Sequence, residues 1–442
     1  MAKLITSDHW VDVRQGLVER EIFSDRAVYE LELQKIFGRA WNFMCHESQI
    51  TKPGDYFMNA IGEEQVIVVR GRDEAINVLL NSCPHRGNSV CRAEQGNTRS
   101  FFCSYHGWNF ALDGRLIAVP GSDKYYGDQL DFDEWGLTRV PRVESYGGFV
   151  FACLDNDAPS LHDFLGWVGR LGIDQIAGKG EMVIVDGIQK NRIHCNWKLA
   201  VDNLFDWYHP KVSHQSAIQA GVLTEEALFP MDQMVLLGEY GHAIGGPGLS
   251  PARLAESEEK HRQLVAEGGT SRRHWRSNPA SREALGSAGV RSRGHPNIFP
   301  NVWITQDGSQ LCLRLPKGPV ETEIWWFTLV EKSMTEDERR RVIQAATHFF
   351  GPAGLLEQDD GENWSHSTRG SIGRVARRKP LNYSMRSGLD EVTVGPDGQK
   401  SIETVVNEHA QLWTYRCWEE WMTAESWPDL IAHHSPEPTD AI

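Results

Sequence analysis

Apolar residues near the start of the chain recur at a helical spacing. Residues 26–37 place Val28, Leu31, Ile36 and Phe37 roughly on one side of a helix, with charged residues between them. This pattern predicts an N-terminal helical segment that packs on a later part of the chain.

Short β-type runs replace the helical pattern between about residues 41 and 154. Residues 64–70 (EQVIVVR) and 75–80 (AINVLL) are clear examples, and Gly, Asn and Asp turns separate such runs. A small all-β domain is therefore predicted here.

A larger mixed domain is predicted after a connector with helical stretches at residues 155–180. Residues 182–188 (MVIVDGI) predict a strand that opens this domain. Residues 197–209 contain no Gly or Pro and predict one helix. Pro210 is expected to end that helix, because the residue before a proline disfavours helical backbone angles.

The stretch 238–294 is rich in turn-forming residues, most clearly at 241–250 (GHAIGGPGLS), and it carries a local basic patch at 271–279. It is expected to be the least regular part of the chain. A lid over a binding site and a solvated insertion both fit such a stretch.

The last third of the chain alternates between strand and helix patterns. Strands of an antiparallel sheet are predicted at residues 301–305, 310–315 and 321–331. Thr335 and Glu338 form a capping box that starts a helix running towards Phe350. Residues 402–427 predict one long amphipathic helix, and the tail from Pro436 is expected to fray.

These elements predict an α+β fold with two domains and a leading segment. The N-terminal helical segment covers residues 1–37, the all-β domain covers residues 38–156, and the larger domain covers residues 157–442. In the larger domain, helices are expected to surround an antiparallel sheet.

The charge of the chain narrows the choice of partners. The protein has 442 residues and a formal net charge of −15 at pH 7. This charge repels phosphate and anionic lipid, so neither nucleic acid nor a membrane surface is expected as a partner. No apolar run approaches the roughly 20 residues of a membrane span, and the N-terminus lacks the layout of a signal peptide. We therefore expect a cytoplasmic protein.

The eight cysteines are scattered over the chain and do not resemble a disulfide framework. Six of them are expected to be small buried side chains: Cys45, Cys91, Cys153, Cys195, Cys312 and Cys417. The other two, Cys83 and Cys103, stand close to histidines.

Two short loops each combine a thiolate with an imidazole. These loops are Cys83-Pro-His85 and Cys103-Ser-Tyr-His106, with seventeen residues between His85 and Cys103. Two thiolates on one iron and two imidazoles on the other are the ligands of a Rieske [2Fe-2S] cluster. A tetrahedral zinc site is the competing interpretation, but zinc ligands usually come as Cys–Cys and His–His pairs. The mixed loops therefore favour the cluster.

A second candidate metal site lies at Asp206, His209 and His214. Asp206 and His209 are three residues apart and would share one face of the predicted helix. His214 would lie on another face of an unbroken helix, so the break at Pro210 is what lets the two imidazoles converge. Such a pair is more often structural when it stands alone. A cluster that delivers electrons requires an acceptor elsewhere in the protein. This requirement favours a metal site at His209 and His214 over a structural role.

The chain resembles the catalytic alpha subunit of bacterial Rieske non-haem iron aromatic-ring-hydroxylating oxygenases over nearly its whole length. The residues that carry the resemblance are Cys83, His85-Arg86-Gly87, Cys103, His106-Gly107-Trp108, Trp197-Lys198, Asp202-Asn203, Asp206, His209, His214, Gly351-Pro352, Gly354 and Asp359-Asp360. The spacing from Trp197 to Asp206 is one residue shorter than in naphthalene-type members, so the resemblance does not name the substrate.

The resemblance implies a mononuclear iron bound by His209 and His214, with Asp360 from a remote helix as the third ligand. Two histidines and a carboxylate form the facial triad of non-haem Fe(II) oxygenases, which leaves positions open for O₂. Only the match to the family motif favours Asp360 over Asp359.

The resemblance also implies a route for electrons. In this family, an acid equivalent to Asp206 bridges a cluster histidine of one subunit, here His106, to an iron histidine of its neighbour, here His209. A carboxylate between two imidazoles fixes their tautomers and orientation.

The implied function is the catalytic subunit of a multicomponent dioxygenase that converts an aromatic compound to a cis-dihydrodiol in a catabolic pathway. NADH would supply electrons through a reductase, with or without a ferredoxin, to a homotrimer that stands alone or binds a small subunit as α3β3. Asn203, Leu204, Phe205 and Phe350 are candidate pocket residues, because they flank the ligands and are mostly apolar. Packing in the core is an equally good interpretation for each of them.

Three alternatives remain at this stage. The first is a Rieske monooxygenase or demethylase that acts on an aromatic substrate. The second is an electron-transfer protein whose larger domain serves only for docking, and the third is a zinc-stabilised binding protein.

Overall fold

The computed structural model describes residues 9–224, 232–267, 272–305 and 308–434. The chain divides into two compact units. The small unit is Phe37–Leu161, and the large unit combines Met1–Ile36 with His162–Ile442.

The helices of the described chain are α1 (Arg26–Glu32), α2 (Ser122–Tyr125), α3 (Leu161–Ala177, broken at Gly166), α4 (Trp197–Asp202), α5 (Pro210–Ser213), α6 (Gln215–Gln219), α7 (Pro251–Ala266), α8 (Pro279–Gly289, broken at Gly286), α9 (Glu336–Phe349), α10 (Leu355–Ile372), α11 (His409–Thr423) and α12 (Trp427–His433).

The strands are β1 (Val11–Asp12), β2 (Leu17–Val18), β3 (Asn42–His46), β4 (Asp55–Ile61), β5 (Glu64–Arg70), β6 (Ile76–Leu80), β7 (Gln95–Asn97), β8 (Phe101–Phe102), β9 (Asn109–Phe110), β10 (Leu116–Ala118), β11 (Arg142–Tyr146), β12 (Phe149–Cys153), β13 (Met182–Ile184), β14 (Gln189–Ile193), β15 (Gln233–Leu237), β16 (Ala243–Pro247), β17 (His295–Ile298), β18 (Val302–Ile304), β19 (Gln310–Pro316), β20 (Thr322–Glu331), β21 (Leu381–Asn382), β22 (Val392–Val394) and β23 (Lys400–Thr404).

Small antiparallel sheets build the small unit, as the β-type pattern predicts. One has the order β6-β5-β4-β7, and two three-stranded sheets have the orders β10-β9-β8 and β11-β12-β3. The two loops that combine Cys with His lie at the ends of short strands: Cys83 follows β6, and Cys103 follows β8. Their thiols belong to a buried core that also contains Trp108 and Phe110.

A ten-stranded antiparallel sheet is the centre of the large unit, so the predicted antiparallel sheet is confirmed. Its order is β13-β20-β19-β18-β17-β16-β15-β23-β22, and β14 also pairs with β20. The three strands predicted between residues 301 and 331 are β18, β19 and β20. The predicted capping box is also confirmed, because Thr335 and Glu338 exchange hydrogen bonds at the start of α9.

The N-terminal segment contains the predicted helix as α1, followed by a π-helical turn, Leu33–Phe37. The Glu32 side chain is fully buried and forms an ion pair with Lys198 of α4. The indole nitrogens of Trp197 and Trp418 also donate to the Glu32 carboxylate, at 2.9 and 2.8 Å. A buried charge is therefore bound by three donors from two helices of the large unit.

The prediction of one helix over residues 197–209 is wrong. Helix α4 ends at Asp202, a single 3-10 turn follows, and Asp206 has extended backbone angles. The Asp206 carboxylate accepts hydrogen bonds from the backbone N–H groups of Tyr208 and His209, and such local bonds compete with helix formation. Pro210 starts α5 rather than ending a helix, since the first helical position tolerates proline. His209 itself has helical backbone angles.

Half of the turn-rich stretch 241–250 is strand β16, so the expectation of irregular structure is wrong there. Its glycines permit close packing. A Cβ atom on Gly245 would lie 3.0 Å from the Phe205 ring, and one on Gly246 would lie 2.4 Å from the Trp207 indole nitrogen. The beginning of the basic patch 271–279 lies outside the described residues.

Two further predictions of element boundaries are wrong. Residues 402–427 begin in strand β23, and helix α11 starts only at His409, where the Asn407 side chain accepts from the backbone N–H of His409. The strand predicted at 182–188 ends at Ile184. The C-terminal tail lies outside the described residues.

The cysteines and the helices also bear on the predictions for disulfides and membrane spans. All eight cysteines are buried and unpaired in disulfides, which agrees with the prediction for the six structural ones. Among the described residues, no helix is both long and apolar enough to cross a bilayer.

Candidate metal centres and cavity

The two Cys–His loops of the small unit share one backbone pattern. Gly87 donates its N–H to the Cys83 carbonyl at 2.8 Å, and Gly107 donates to the Cys103 carbonyl at 2.9 Å. Both glycines have positive φ angles, +72° and +79°, which favour glycine over other residues. The two loops are therefore equivalent turns, and each presents a cysteine and a histidine.

The environment of the two sulfurs differs. Burial raises the pKa of the Cys83 thiol. Burial acts in the same direction on Cys103, but the backbone N–H of Tyr105 and the Asn88 amide, 3.6 Å from the sulfur, lower its pKa below the usual value. Donors aimed at a sulfur stabilise the thiolate, which is the form that binds iron.

The two imidazoles of these loops lie together. The ring centroids of His85 and His106 are 4.3 Å apart, and the His85 ring stacks on Trp108. The His85 Nδ1 atom is buried and has no hydrogen-bond partner. Burial and the neighbouring His106 and Arg86 also lower the pKa of His85, which favours its neutral form. Two cysteines, two imidazoles and a buried nitrogen without a partner fit a Rieske cluster.

In the large unit, the structure brings together His209, His214 and Asp360. The histidines stand at either end of the short helix α5, and Asp360 comes from α10. The Nε2 atoms of the two histidines are 3.3 Å apart, and Asp360 Oδ1 lies 3.3 Å from one and 3.5 Å from the other. Ligand atoms about 2.1 Å from one metal ion lie roughly 3.0–3.4 Å from each other. These three residues therefore fit one metal ion.

Each histidine of this triad also faces a second carboxylate. Asp206 Oδ2 lies 3.2 Å from His209 Nδ1, and Asp359 Oδ2 lies 3.4 Å from His214 Nδ1. A carboxylate behind a ligating histidine fixes its tautomer and ring orientation. Sequence reasoning treated Asp359 only as a rival ligand and missed this position. The adjacent acids in the Asp-Asp pair were the available signal.

The charges around His209 explain its protonation in the absence of a metal. Burial alone would lower the pKa of His209. The Asp206 and Asp360 carboxylates raise this pKa by more than burial lowers it, so the net value is about 10. Burial raises the pKa of Asp206, while its contact with His209 lowers it below the usual value. Negative charge thus accumulates where a cation binds, and a bound metal ion would replace the proton of His209.

A cavity of about 280 Å³ lies against the triad. Its apolar wall consists of Leu204, Trp207, Pro210, Leu223, Trp303, Ala345, Ala346, Phe349, Phe350 and Leu356. Of the four candidate pocket residues, Asn203, Leu204 and Phe350 line this cavity. Phe205 does not: it is 3 % exposed and packs against Gly245 on the other side of its 3-10 turn. Phe205 thus faces the core, although both of its neighbours in sequence, Leu204 and Asp206, line the cavity.

Asp202, one turn before Asp206, is a half-buried acid that sequence analysis treated only as part of a motif. Its Oδ2 atom accepts hydrogen bonds from the hydroxyls of Tyr415 and Tyr383, at 2.5 and 2.8 Å. Burial raises the pKa of Asp202 to about 7, against the lowering effect of the two tyrosines. These bonds connect the end of α4 to α11 and to the residue after β21.

Comparisons with known proteins match both units of the chain. Residues 40–145 match the Rieske [2Fe-2S] domain, and residues 174–397 match the catalytic domain of the ring hydroxylating alpha subunit. The biphenyl 2,3-dioxygenase alpha subunit of Rhodococcus jostii is 35% identical over 436 residues, which cover 96% of this chain and 92% of the relative. The benzene 1,2-dioxygenase alpha subunit of Pseudomonas putida is 34% identical, with coverages of 95% and 94%. A solved structure of naphthalene 1,2-dioxygenase with bound indole has a TM-score of 0.84 at 28% identity and covers 96% of both chains.

Proposed function

The chain belongs to the family of ring-hydroxylating dioxygenase alpha subunits, and on this basis we propose that it cis-dihydroxylates a neutral aromatic compound of one or two rings. As a member of this family it is the catalytic subunit of a multicomponent dioxygenase, with a Rieske [2Fe-2S] cluster and a mononuclear non-haem iron. This membership excludes a zinc-stabilised binding protein and a pure electron-transfer protein. The observation that carries the proposal is an apolar cavity lined by three candidate iron ligands.

We assign the metal ligands to the residues that the structure groups together. Cys83, His85, Cys103 and His106 would hold the cluster in the small unit, which we assign to the predicted domain 38–156. His209, His214 and Asp360 would hold the mononuclear iron in the larger domain 157–442, on which the segment 1–37 packs. When bound, that iron supplies the activation of O₂ next to the substrate.

The protein's own residues orient the site and exclude water from it. Asp206 and Asp359 hold the His209 and His214 rings from behind, so that both Nε2 atoms face Asp360. Phe350 packs against the rings of both Trp303 and Trp326 and closes one wall of the cavity. An aromatic substrate would bind in this apolar space with one ring edge towards the triad.

The size and charge of the cavity support a small neutral substrate. A cavity of about 150 Å³ holds a benzene molecule, and roughly 280 Å³ leaves room for a second ring or a substituent. The described lining contains no Lys or Arg, while Asp206 and Asp360 contribute negative charge. An aromatic carboxylate would therefore lack a counter-ion here. The relatives named for biphenyl and benzene act on neutral compounds of this kind.

Electrons would reach the iron from a second copy of the chain through Asp206. The Asp206 side chain is 37% exposed, and Tyr208 and Val212 beside it are also exposed. An acid that binds His209 and reaches the surface supports a bridge to His106 of a neighbouring subunit. We therefore propose a homotrimer, alone or with a small subunit, that receives NADH-derived electrons through a reductase, with or without a ferredoxin, in the cytoplasm. The pathway would be catabolic.

Isotope labelling tests the reaction itself. Chemically reduced protein is given biphenyl or naphthalene and ¹⁸O₂ in a single turnover, so that no partner protein is needed. The expected product is a cis-dihydrodiol with both oxygen atoms labelled. A product with one labelled oxygen would instead establish the alternative, a Rieske monooxygenase or demethylase, and would refute the proposal.

A further inference from the structure

A layer of buried polar atoms lies behind the cavity, on one face of the large sheet. We define this polar layer by Gln189, Asn191, Arg314 and Glu357. Arg314 and Asn191 both pair with Ile324 of β20, so all three side chains project from the same face. Glu357 comes from the first turn of α10.

Each member of the polar layer has a buried side-chain atom without a hydrogen-bond partner. These atoms are Gln189 Oε1, Asn191 Oδ1, Arg314 Nε and Nη1, and Glu357 Oε1. Arg314 and Glu357 are 1% and 2% exposed. The layer therefore holds donors and acceptors together, yet within the described ranges the guanidinium and the carboxylate form no direct ion pair. Buried polar groups are almost always paired, and ordered water is the usual partner where protein groups do not meet.

Glu357 is placed to control the position of Asp360. The two residues are three apart on the buried face of α10, and Asp360 is 4% exposed. Glu357 Oε2 accepts from the backbone N–H of Gly351 at 3.4 Å, in the turn that precedes the helix. Gly354, the residue before α10, offers no side-chain cap, so Glu357 fixes the start of the helix that presents Asp360.

Arg314 supplies the buried positive charge behind these carboxylates. Its guanidinium lies 4.7 Å from the ring of Trp303, which lines the cavity and contacts Phe350. A buried guanidinium and a buried carboxylate are each costly without a partner of opposite charge. The two groups therefore stabilise each other across the layer.

We propose that Arg314 and Glu357 are positioning residues for Asp360, joined by a cluster of ordered water that fills the polar layer. This inference rests on the proposed role of Asp360 as an iron ligand. Neither residue touches the substrate or the metal. Their effect is to hold the first turns of α10 so that the Asp360 carboxylate stays opposite His209 and His214.

Metal affinity tests the proposal independently of turnover. Fe(II) or Co(II) binding is measured on the full-length protein for Glu357→Leu, Arg314→Met and the double variant, with far-UV circular dichroism as the check on folding. Each single variant is expected to weaken binding about tenfold or more, as losses behind a metal ligand commonly do. The double variant is expected to bind metal more weakly than the wild type but no more weakly than the worse single variant, because it leaves no unpaired charge. Glu357→Gln, which keeps an acceptor for the Gly351 N–H, is expected to recover part of the loss.

Gln175→Leu is the matched control. Gln175 is 1% exposed and its amide nitrogen has no partner, but it lies in α3 and does not line the cavity. This variant is expected to bind metal like the wild-type protein. If a single variant fails to fold, the double variant carries the test, and affinity equal to the wild type overturns the proposal.

The outcomes separate this inference from the proposed function. Wild-type protein that binds no metal at the triad would refute the proposed ligands themselves. If the wild type binds metal and the folded single variants bind it with unchanged affinity, only the positioning role is refuted. The positioning role is also refuted if the loss of affinity in the double variant equals the product of the two single losses. A crystal structure supplies the direct check, since a dry gap between Arg314 and Glu357 would contradict the water cluster.

Discussion

Replacing Glu32 by alanine is expected to destabilise the large unit strongly, although this residue lies in the N-terminal segment. Glu32 is fully buried and Lys198 is 3% exposed, so the substitution leaves an ammonium group without its counter-ion. It also leaves the indole nitrogens of Trp197 and Trp418 without an acceptor. Breaking a buried ion pair by removing one partner costs about 3–5 kcal/mol.

Urea unfolding measures this cost, with near-UV circular dichroism as the probe of the large unit and visible absorbance as the probe of the cluster-binding unit. Glu30→Ala is the matched control. Glu30 lies in the same helix, but its pair with Arg26 is 58% and 72% exposed, and such pairs contribute about 0.3–0.5 kcal/mol. A Glu32→Ala variant within about 1 kcal/mol of the Glu30→Ala variant would refute the reasoning, since it would mean that the buried pair contributes no more than an exposed one.

Three further predictions concern the catalytic site and its surroundings. Asp359→Asn is expected to weaken metal binding about 10–100-fold in a titration of metal-free protein, because the His214 ring loses its carboxylate; an unchanged affinity would contradict this role. Ala346→Leu is expected to narrow the cavity, so kcat/KM should fall more for biphenyl than for benzene, and an equal fall for both would contradict the placement of Ala346 in the wall. Burial raises the pKa of Asp202 from 3.8 to about 7, so the stability that its protonated form contributes is complete below pH 3.8 and is lost as the pH rises through about 7; in Asp202→Asn the free energy of unfolding should lose that part of its pH dependence, and an unaltered profile would contradict the assignment.

The sequence predicted the parts of the site that depend on spacing and residue type. The mixed Cys–His loops need only a tight turn each, and the glycines at 87 and 107 provide it. The capping box at Thr335 is equally local. The grouping of Asp360 with the two histidines could not follow from spacing alone, because α10 lies far from α5 in sequence. Resemblance to a known family supplied that pairing.

Other features of the fold could not be predicted, because they depend on contacts that the spacing of apolar residues does not show. A helical pattern over residues 197–209 does not reveal that the Asp206 carboxylate accepts hydrogen bonds from the backbone of Tyr208 and His209, which compete with a helix there. The glycines of β16 predict turns from sequence, but in the structure they leave space for the side chains of Phe205 and Trp207. For the same reason, Phe205 could not be separated from Leu204 as a pocket residue before its packing was known.

The metal content of Asp360→Ala tests the central claim most directly. Iron is quantified in purified protein while the Rieske absorbance reports the cluster, and Glu362→Ala, an exposed acid on the same helix, is the control. The account predicts that Asp360→Ala loses the mononuclear iron and keeps the cluster, whereas Glu362→Ala keeps both. An Asp360→Ala protein that retains all of its iron would contradict the account.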